Sequence, residues 1–202
     1  VNENPTGGLR RGEFGWFDAG RKARIGIPEA IFAAGKADAA LVEMIEFALE
    51  GEGPVLITRL DPMRWGLIAD RADWLAFPPI AEGGPYVTLV ARPVAMTGPK
   101  RVAILAAGSS DRVMALEAQA VLTALGVNSH LILDCGVSAL ERTLVALDET
   151  SDAEVYIVLA GLPPARSVPA GSSDARCRAQ RTCLHPAAVE LRLRRTRHHG
   201  HA

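Results

Sequence analysis

An unbroken apolar run, Val102–Ala106, leads straight into Gly108-Ser109-Ser110 and then into a helical pattern, and nothing else in the sequence constrains the fold as strongly. A strand that is apolar on every residue must be covered on both faces, as in parallel sheets. From Asp111 to Leu125 the apolar residues Met114, Ala118, Val121, Leu122 and Leu125 recur at helical spacing, and Gly126 closes the helix. Leu131–Asp134 then reads as a strand, Val137–Leu147 as a helix and Val155–Ala160 as a third strand. This alternation predicts an α/β fold with a doubly wound parallel sheet.

The N-terminal half predicts a smaller α/β region. Residues 1–20 are polar and glycine-containing and read as a flexible lead-in. Asp18–Ile27 is basic and irregular, with Arg21, Lys22 and Arg24. Pro28 opens a short helix that Gly35 stops, and Glu29 suits its positive end. Ala37–Glu50 is a second helix, with Leu41, Met44, Ile45 and Ala48 on one face. Val55–Ile57 is a strand. Asp61 and Pro62 start a helix running to about Ala72. A turn at Glu82–Pro85 precedes a strand over Tyr86–Ala91, and Pro93–Lys100 reads as a linker. The expected organisation is a lead-in over 1–20, an N-terminal domain over 21–95, a sheet domain over 100–161 and an atypical segment over 162–202.

That last segment breaks the pattern. Pro163, Pro164 and Pro169 oppose a helix. Arg166, Arg176, Arg178, Arg181, Arg192, Arg194, Arg195 and Arg197 face only Asp174 and Glu190. Apart from a Val189-Leu191-Leu193 alternation, no periodicity remains, so the expectation is a basic, disordered tail that leaves Val155–Ala160 as an edge strand. A basic interaction tail, a metal-binding cluster of His198, His199 and His201, and the product of a shifted reading frame compete here; the shifted frame is the favoured reading. Val1 in place of Met points to an unusual start codon or a fragment.

Composition narrows the function classes. With 202 residues, 49% hydrophobic and 22% charged, the chain can bury a core. A net charge of -1 and 5% aromatic residues argue against nucleic acid as the main partner. No apolar run reaches the roughly 20 residues that span a bilayer, and the start has no leader-like apolar core, so a cytoplasmic protein without a membrane partner is expected. Cys135, Cys177 and Cys183 suggest neither a disulfide framework nor a zinc site.

The residues best placed for chemistry follow the first apolar strand. Gly108, Ser109, Ser110 and Asp111 join a strand to a helix start, where free backbone N–H groups can hold a phosphate. Equally, Ser110 can be a helix cap and Asp111 a charge that complements the dipole. Neither a dinucleotide fingerprint nor a P-loop is present. Asp134 and Gly136 end the second strand on the same side of the sheet, where parallel sheets bind ligands. Asp134 fits a ribose hydroxyl, a metal or a helix cap. Glu141 and Arg142 lie one turn on, as a solvated pair or as groups reaching the site. Cys135 reads as a packing cysteine, His130 as structural, and Trp16, Trp65 and Trp74 as packing anchors.

Two stretches resemble the LarB family. Arg24-Ile25-Gly26-Ile27-Pro28-Glu29-Ala30-Ile31-Phe32, followed by Gly35-Lys36, is similar to that family's Arg-x-Gly-x-Pro-Glu signature, so Arg24, Gly26, Pro28, Glu29, Gly35 and Lys36 are the signature residues. Pro54–Arg59 resembles the strand that follows it. Ala106–Asp111 and Asp134–Arg142 resemble the family's Ala-Gly-Thr-Ser-Asp and Asp-Val-Gly-Val pieces, with Glu141 where the family has His. The first piece also resembles the PurE aminoimidazole ribonucleotide carboxylase/mutase fold. The resemblance implies a PurE-like sheet domain, truncated here. It also implies carboxylation and pyrophosphate hydrolysis of nicotinate adenine dinucleotide with CO2 or bicarbonate, on the route to the nickel-pincer cofactor. It brings a small-molecule nucleotide substrate, a homo-oligomer and Mg2+ as a metal. The family's nucleophilic cysteine has no counterpart in context, neither Cys177 nor Cys183 takes its place, and impaired turnover is expected. The alternatives are a purine-pathway carboxylase or mutase and a non-catalytic, basic-tailed interaction protein.

Overall fold

A computed structural model describes residues 8–99, 101–161 and 188–193. The chain divides into two compact units. The first comprises residues up to Arg101 together with Val113–Ser129; the second comprises Val102–Arg112 and the chain from His130.

In the first unit, β1 (Leu9–Arg11) and β2 (Trp16–Asp18) form an antiparallel hairpin. Its turn is closed by the Gly12 N–H donating to the Gly15 carbonyl at 2.8 Å. The expected flexible lead-in is therefore ordered from residue 8, because Phe17 is buried in the unit's core. Next come α1 (Arg21–Ile25), β3 (Ala30–Phe32), α2 (Asp38–Glu50), β4 (Val55–Leu60), β5 (Trp74–Phe77) and β6 (Val87–Ala91). The four strands form a sheet of order β3-β4-β6-β5, with β3 parallel to β4 and the remaining neighbours antiparallel.

Three sequence expectations change here. The helix expected from Pro28 is the strand β3, because Ile31 is buried and pairs with Ile57. The irregular basic stretch contains the short helix α1, ended by Gly26 in a left-handed conformation at φ 80°. The helix expected from Asp61 is two short 3-10 turns, Pro62–Leu67 and Ala69–Arg71; Asp61 still caps the first, accepting from the Met63 N–H at 2.9 Å.

The central strands β4 and β6 are buried on both faces. Leu41, Met44 and Ile45 of α2 pack with Ile31, Ile57 and Leu89 on one side. On the other, Leu56 and Val90 meet Ala120 and Ala124 of α3 (Arg112–Ala124). Each large aliphatic side chain buried this way contributes roughly 1.5–3 kcal/mol. This packing groups most of α3 with the N-terminal unit, although the chain first leaves that unit after Arg101, directly beyond the linker expected at Pro93–Lys100. The fully buried face of α3 is Ala115, Leu116, Ala120, Thr123 and Ala124. The expected stripe Met114, Ala118, Val121, Leu122 and Leu125 is only partly buried, one step round the helix from the buried face.

In the second unit, β7 (Val102–Ala106), β8 (Ser129–Ile132) and β9 (Val155–Ala160) belong to a sheet of order β10-β9-β7-β8. β7 runs parallel to β9, from Val102 opposite Val155 to Ala106 opposite Leu159. Beyond β8, the N–H groups of Cys135 and Gly136 donate to the carbonyls of Ala106 and Ala107 at 3.0 and 2.9 Å. The sequence's first strand thus lies between the other two, and α4 (Leu140–Glu149) carries the chain from β8 to β9. The strand β10 (Ala188–Leu193) pairs antiparallel with β9. β9 is therefore not the edge that the sequence suggested: the Val189-Leu191-Leu193 alternation belongs to a strand. The readings placed on 162–187 and 194–202, including Cys177, Cys183 and the histidine cluster, lie outside the described residues. Among the described residues, no helix is long and apolar enough to cross a membrane.

Candidate functional site

The chain order reverses between β7 and β9, and it is beyond the strand ends at such a switch point that open α/β sheets place their ligand sites. The sequence places a glycine just beyond each of these strands and another beyond β8: Gly108, Gly161 and Gly136. At Gly136 a Cβ would stand 2.6 Å from the Ala107 carbonyl oxygen, and at Gly161 one would stand 2.6 Å from Asp111 Oδ1. Those two positions need glycine for close approach. Gly108 does not, since the nearest atoms to a Cβ there are 3.8 Å away.

Asp111 is the buried acid of this edge. Its Oδ2 accepts from the Gly108 N–H at 3.0 Å and its Oδ1 from the Gly161 N–H at 2.9 Å. One carboxylate thereby ties the end of β7 to the end of β9. Asp111 is thus a clamp on two backbone donors and does more than complement a dipole. Ser110 makes no side-chain cap; Gly108 is the capping residue, and the Asp111 side chain reaches back to it. Ser109 and Ser110 are exposed, and as the first N–H groups of the helical segment theirs have no carbonyl partner within it.

Asp134 stands beside this turn in a left-handed conformation, φ 57°, and its exposed carboxylate pairs with Arg142 of α4. It does not cap the following helix, whose start has no side-chain cap. Arg142 therefore reaches the strand-end edge, while Glu141 is solvated. The expected site residues Gly108, Ser109, Ser110, Asp111, Asp134, Gly136 and Arg142 all fall on this one edge of the second unit. Gly161 joins them; its signal was its place directly after the third strand. Asp134 pairs with Arg142, and among the described residues no three His, Cys, Asp or Glu side chains could share an ion. Cys135 is buried, and burial pushes its thiol above the ordinary range, a packing environment and not that of a nucleophile.

The signature residues of the first unit are used differently. Arg24 grips Asp18 through both guanidinium nitrogens, with Nη1 2.9 Å from Oδ1. Glu29 accepts from the Asp18 N–H. Gly26 and Gly35 take left-handed φ values of 80° and 76° that other residues avoid. Lys36 is exposed. The contacts of Arg59, the last residue of the stretch that resembles the family's strand, were not foreseen. At φ 55° within an irregularity of β4, it reaches Glu117 of α3 at 2.8 Å and lies 5.7 Å from the Tyr86 ring.

Residues 10–82 match the family model LarB_N, the LarB/PurE-like N-terminal domain. This segment is similar to the LarB/PurE-like N-terminal domain. The LarB_N match contains the whole Arg24–Lys36 signature and does not extend to the second unit. No curated protein matches the chain.

Proposed function

We propose that the chain is a LarB-type nucleotide carboxylase whose strand-end edge holds a phosphate of nicotinate adenine dinucleotide. In this reading the pyridinium ring is carboxylated from CO2 or bicarbonate and the pyrophosphate is hydrolysed with release of AMP. The observation that carries it is the Gly108–Asp111 turn. Asp111 is turned inward onto two backbone donors, while Ser109 and Ser110 present hydroxyls and first-turn N–H groups outward. Arg142, held by Asp134, supplies a cation at the same edge. Turnover is expected to be weak, because neither Cys177 nor Cys183 sits in the family's cysteine context.

Calorimetry with nicotinate adenine dinucleotide tests this. The paired change Ser109→Ala and Ser110→Ala should weaken binding about tenfold, the loss of one or two net hydrogen bonds. Equal affinity for variant and wild type removes the phosphate from this turn. Tighter binding of aminoimidazole ribonucleotide would move the assignment to the PurE-type reaction. Salt-dependent binding of nucleic acid with no nucleotide binding would mark an interaction protein instead.

A further inference from the structure

Arg59 sits in the left-handed region at φ 55°, where the register of β4 against β6 shifts between Ile57 and Leu60. Glycine or asparagine enters that region cheaply; a long side chain stays there only where its surroundings hold it. An irregularity of this kind re-aims a side chain away from its strand. Here the guanidinium reaches the first two turns of α3. Its Nε donates to Glu117 Oε2 at 2.8 Å, and its Nη2 contacts the Met114 sulfur. The Tyr86 ring adds a cation–aromatic contact. The two charged side chains are only 27% and 24% exposed, so salt screens this pair less than it screens a surface pair.

The helix that receives these contacts grows out of the Ser109–Asp111 turn. Arg112, its first residue, also closes that turn, with its N–H directed to the Ser109 carbonyl. Met114 and Glu117 lie within two helical turns of Asp111. A helix is stiff over that distance, so a rotation or slide of its start carries the Ser109 and Ser110 N–H groups with it. The contacts of α3 with Leu56 and Val90 come from Ala120 and Ala124, in its second half. In the first half Ala115 and Leu116 are buried, and the Arg59–Glu117 pair supplies a directional tie that apolar packing lacks.

We propose that Arg59 is a positioning residue for the Gly108–Asp111 turn. Acting through Glu117 and Met114, it fixes the start of α3 and thereby the direction of the Ser109 and Ser110 N–H groups, without touching the ligand. The role in binding rests on the phosphate reading of that turn. Its charge is already taken up by Glu117 and the Tyr86 face, which leaves Arg59 as a strut and not as an anion ligand.

Two readouts on the full chain test this. The first is the amide NMR spectrum of the free protein. Arg59→Met and Glu117→Gln should each shift the Ser109 and Ser110 amide signals, and Arg59→Lys, which keeps the charge, should return them most of the way. The second is calorimetry with nicotinate adenine dinucleotide. Arg59→Met and Glu117→Gln should each weaken binding about fivefold, and the double variant should lose no more than either alone. Tighter binding in Glu117→Gln would overturn the proposal, because a freed Arg59 would then be meeting the anion directly. Additive losses in the double variant would overturn it too, since Arg59 would be acting without Glu117. Amide signals that stay in place in both single variants would likewise overturn it, and that readout needs no ligand. It therefore decides the positioning role even if the wild type fails to bind the dinucleotide, a failure that counts against the phosphate reading alone. Unchanged affinity in both single variants, with the Ser109 and Ser110 variants weakened, would reduce Arg59 to a structural residue. Glu117→Gln places another good helix former at a partly exposed position, so it carries the test if Arg59→Met fails to fold.

Discussion

In the LarB_N region the charged side chains are turned on one another: Arg24 and Glu29 both hold Asp18, one by its carboxylate and one by its N–H. At the strand-end edge of the second unit a single carboxylate, Asp111, holds backbone on both sides, and the hydroxyls of Ser109 and Ser110 are left outside. Both stretches carry the family resemblance. The first uses its polar groups to fix a hairpin beside a short helix. The second uses one buried group to tie two strand ends together and leaves two hydroxyls exposed. A motif's resemblance therefore does not say which of its polar groups are already used within the fold; the hydrogen-bond partners do.

The largest effect separating the two regions should come from Asp111. Asp111→Ala leaves two backbone N–H groups without their acceptor in a buried place, at a cost of about 2–4 kcal/mol. Urea unfolding of the variant should show it, and Asp111→Asn, which keeps one acceptor oxygen, should lose less. A loss below that of an ordinary surface substitution, about 0.5 kcal/mol, would mean that Asp111 does not clamp the strand ends.

Glycine positions give the next effect. Gly136→Ala places a Cβ 2.6 Å from the Ala107 carbonyl oxygen, a backbone atom that cannot rotate away, and should cost about 1–3 kcal/mol. Gly108→Ala meets nothing closer than 3.8 Å at φ -135° and should leave the urea midpoint nearly unchanged. If Gly108→Ala proves the more damaging of the two, the turn is tighter than its geometry shows.

How much of this was legible beforehand depends on the range of the interactions. The strands Val102–Ala106 and Val155–Ala160 and the helix α2 were readable because each carries its own apolar pattern. The strand Ala30–Phe32 was misread as a helix because Pro28 and Glu29 suit a helix start locally, while the pairing with β4 lies far along the chain. The hairpin strands Leu9–Arg11 and Trp16–Asp18 are too short for periodicity, and Trp74–Phe77 lacks alternation. Asp111 was legible as a residue of the strand-end edge. Its role as a clamp was not, because Gly161 lies 50 residues away. The left-handed Arg59 has no sequence signal at all: it follows from a register shift in β4.

The smallest effect concerns the exposed pair in the LarB_N region, and its pH dependence has a definite sign. The Arg24 hydrogen bond holds the Asp18 carboxyl below its ordinary 3.8. A carboxyl whose pKa is lower folded than unfolded stabilises the fold fully above the unfolded value, and that contribution fades as pH falls through the folded value. Arg24→Met removes the partner, so its Asp18 titrates nearer the ordinary value. The wild type should therefore melt slightly higher than Arg24→Met at neutral pH, with the gap constant down to about pH 4 and closing below 3.8 as Asp18 takes up its proton. Because Arg24 is more than half exposed, solvent and salt screen the pair, and the gap should also shrink in high salt. Thermal melts of the two proteins from pH 7 to pH 2.5 measure it directly. A gap that widens as pH falls would mean that Arg24 stabilises the hairpin through something other than the charge of Asp18, and the contrast with the backbone clamp at Asp111 would lose its electrostatic basis.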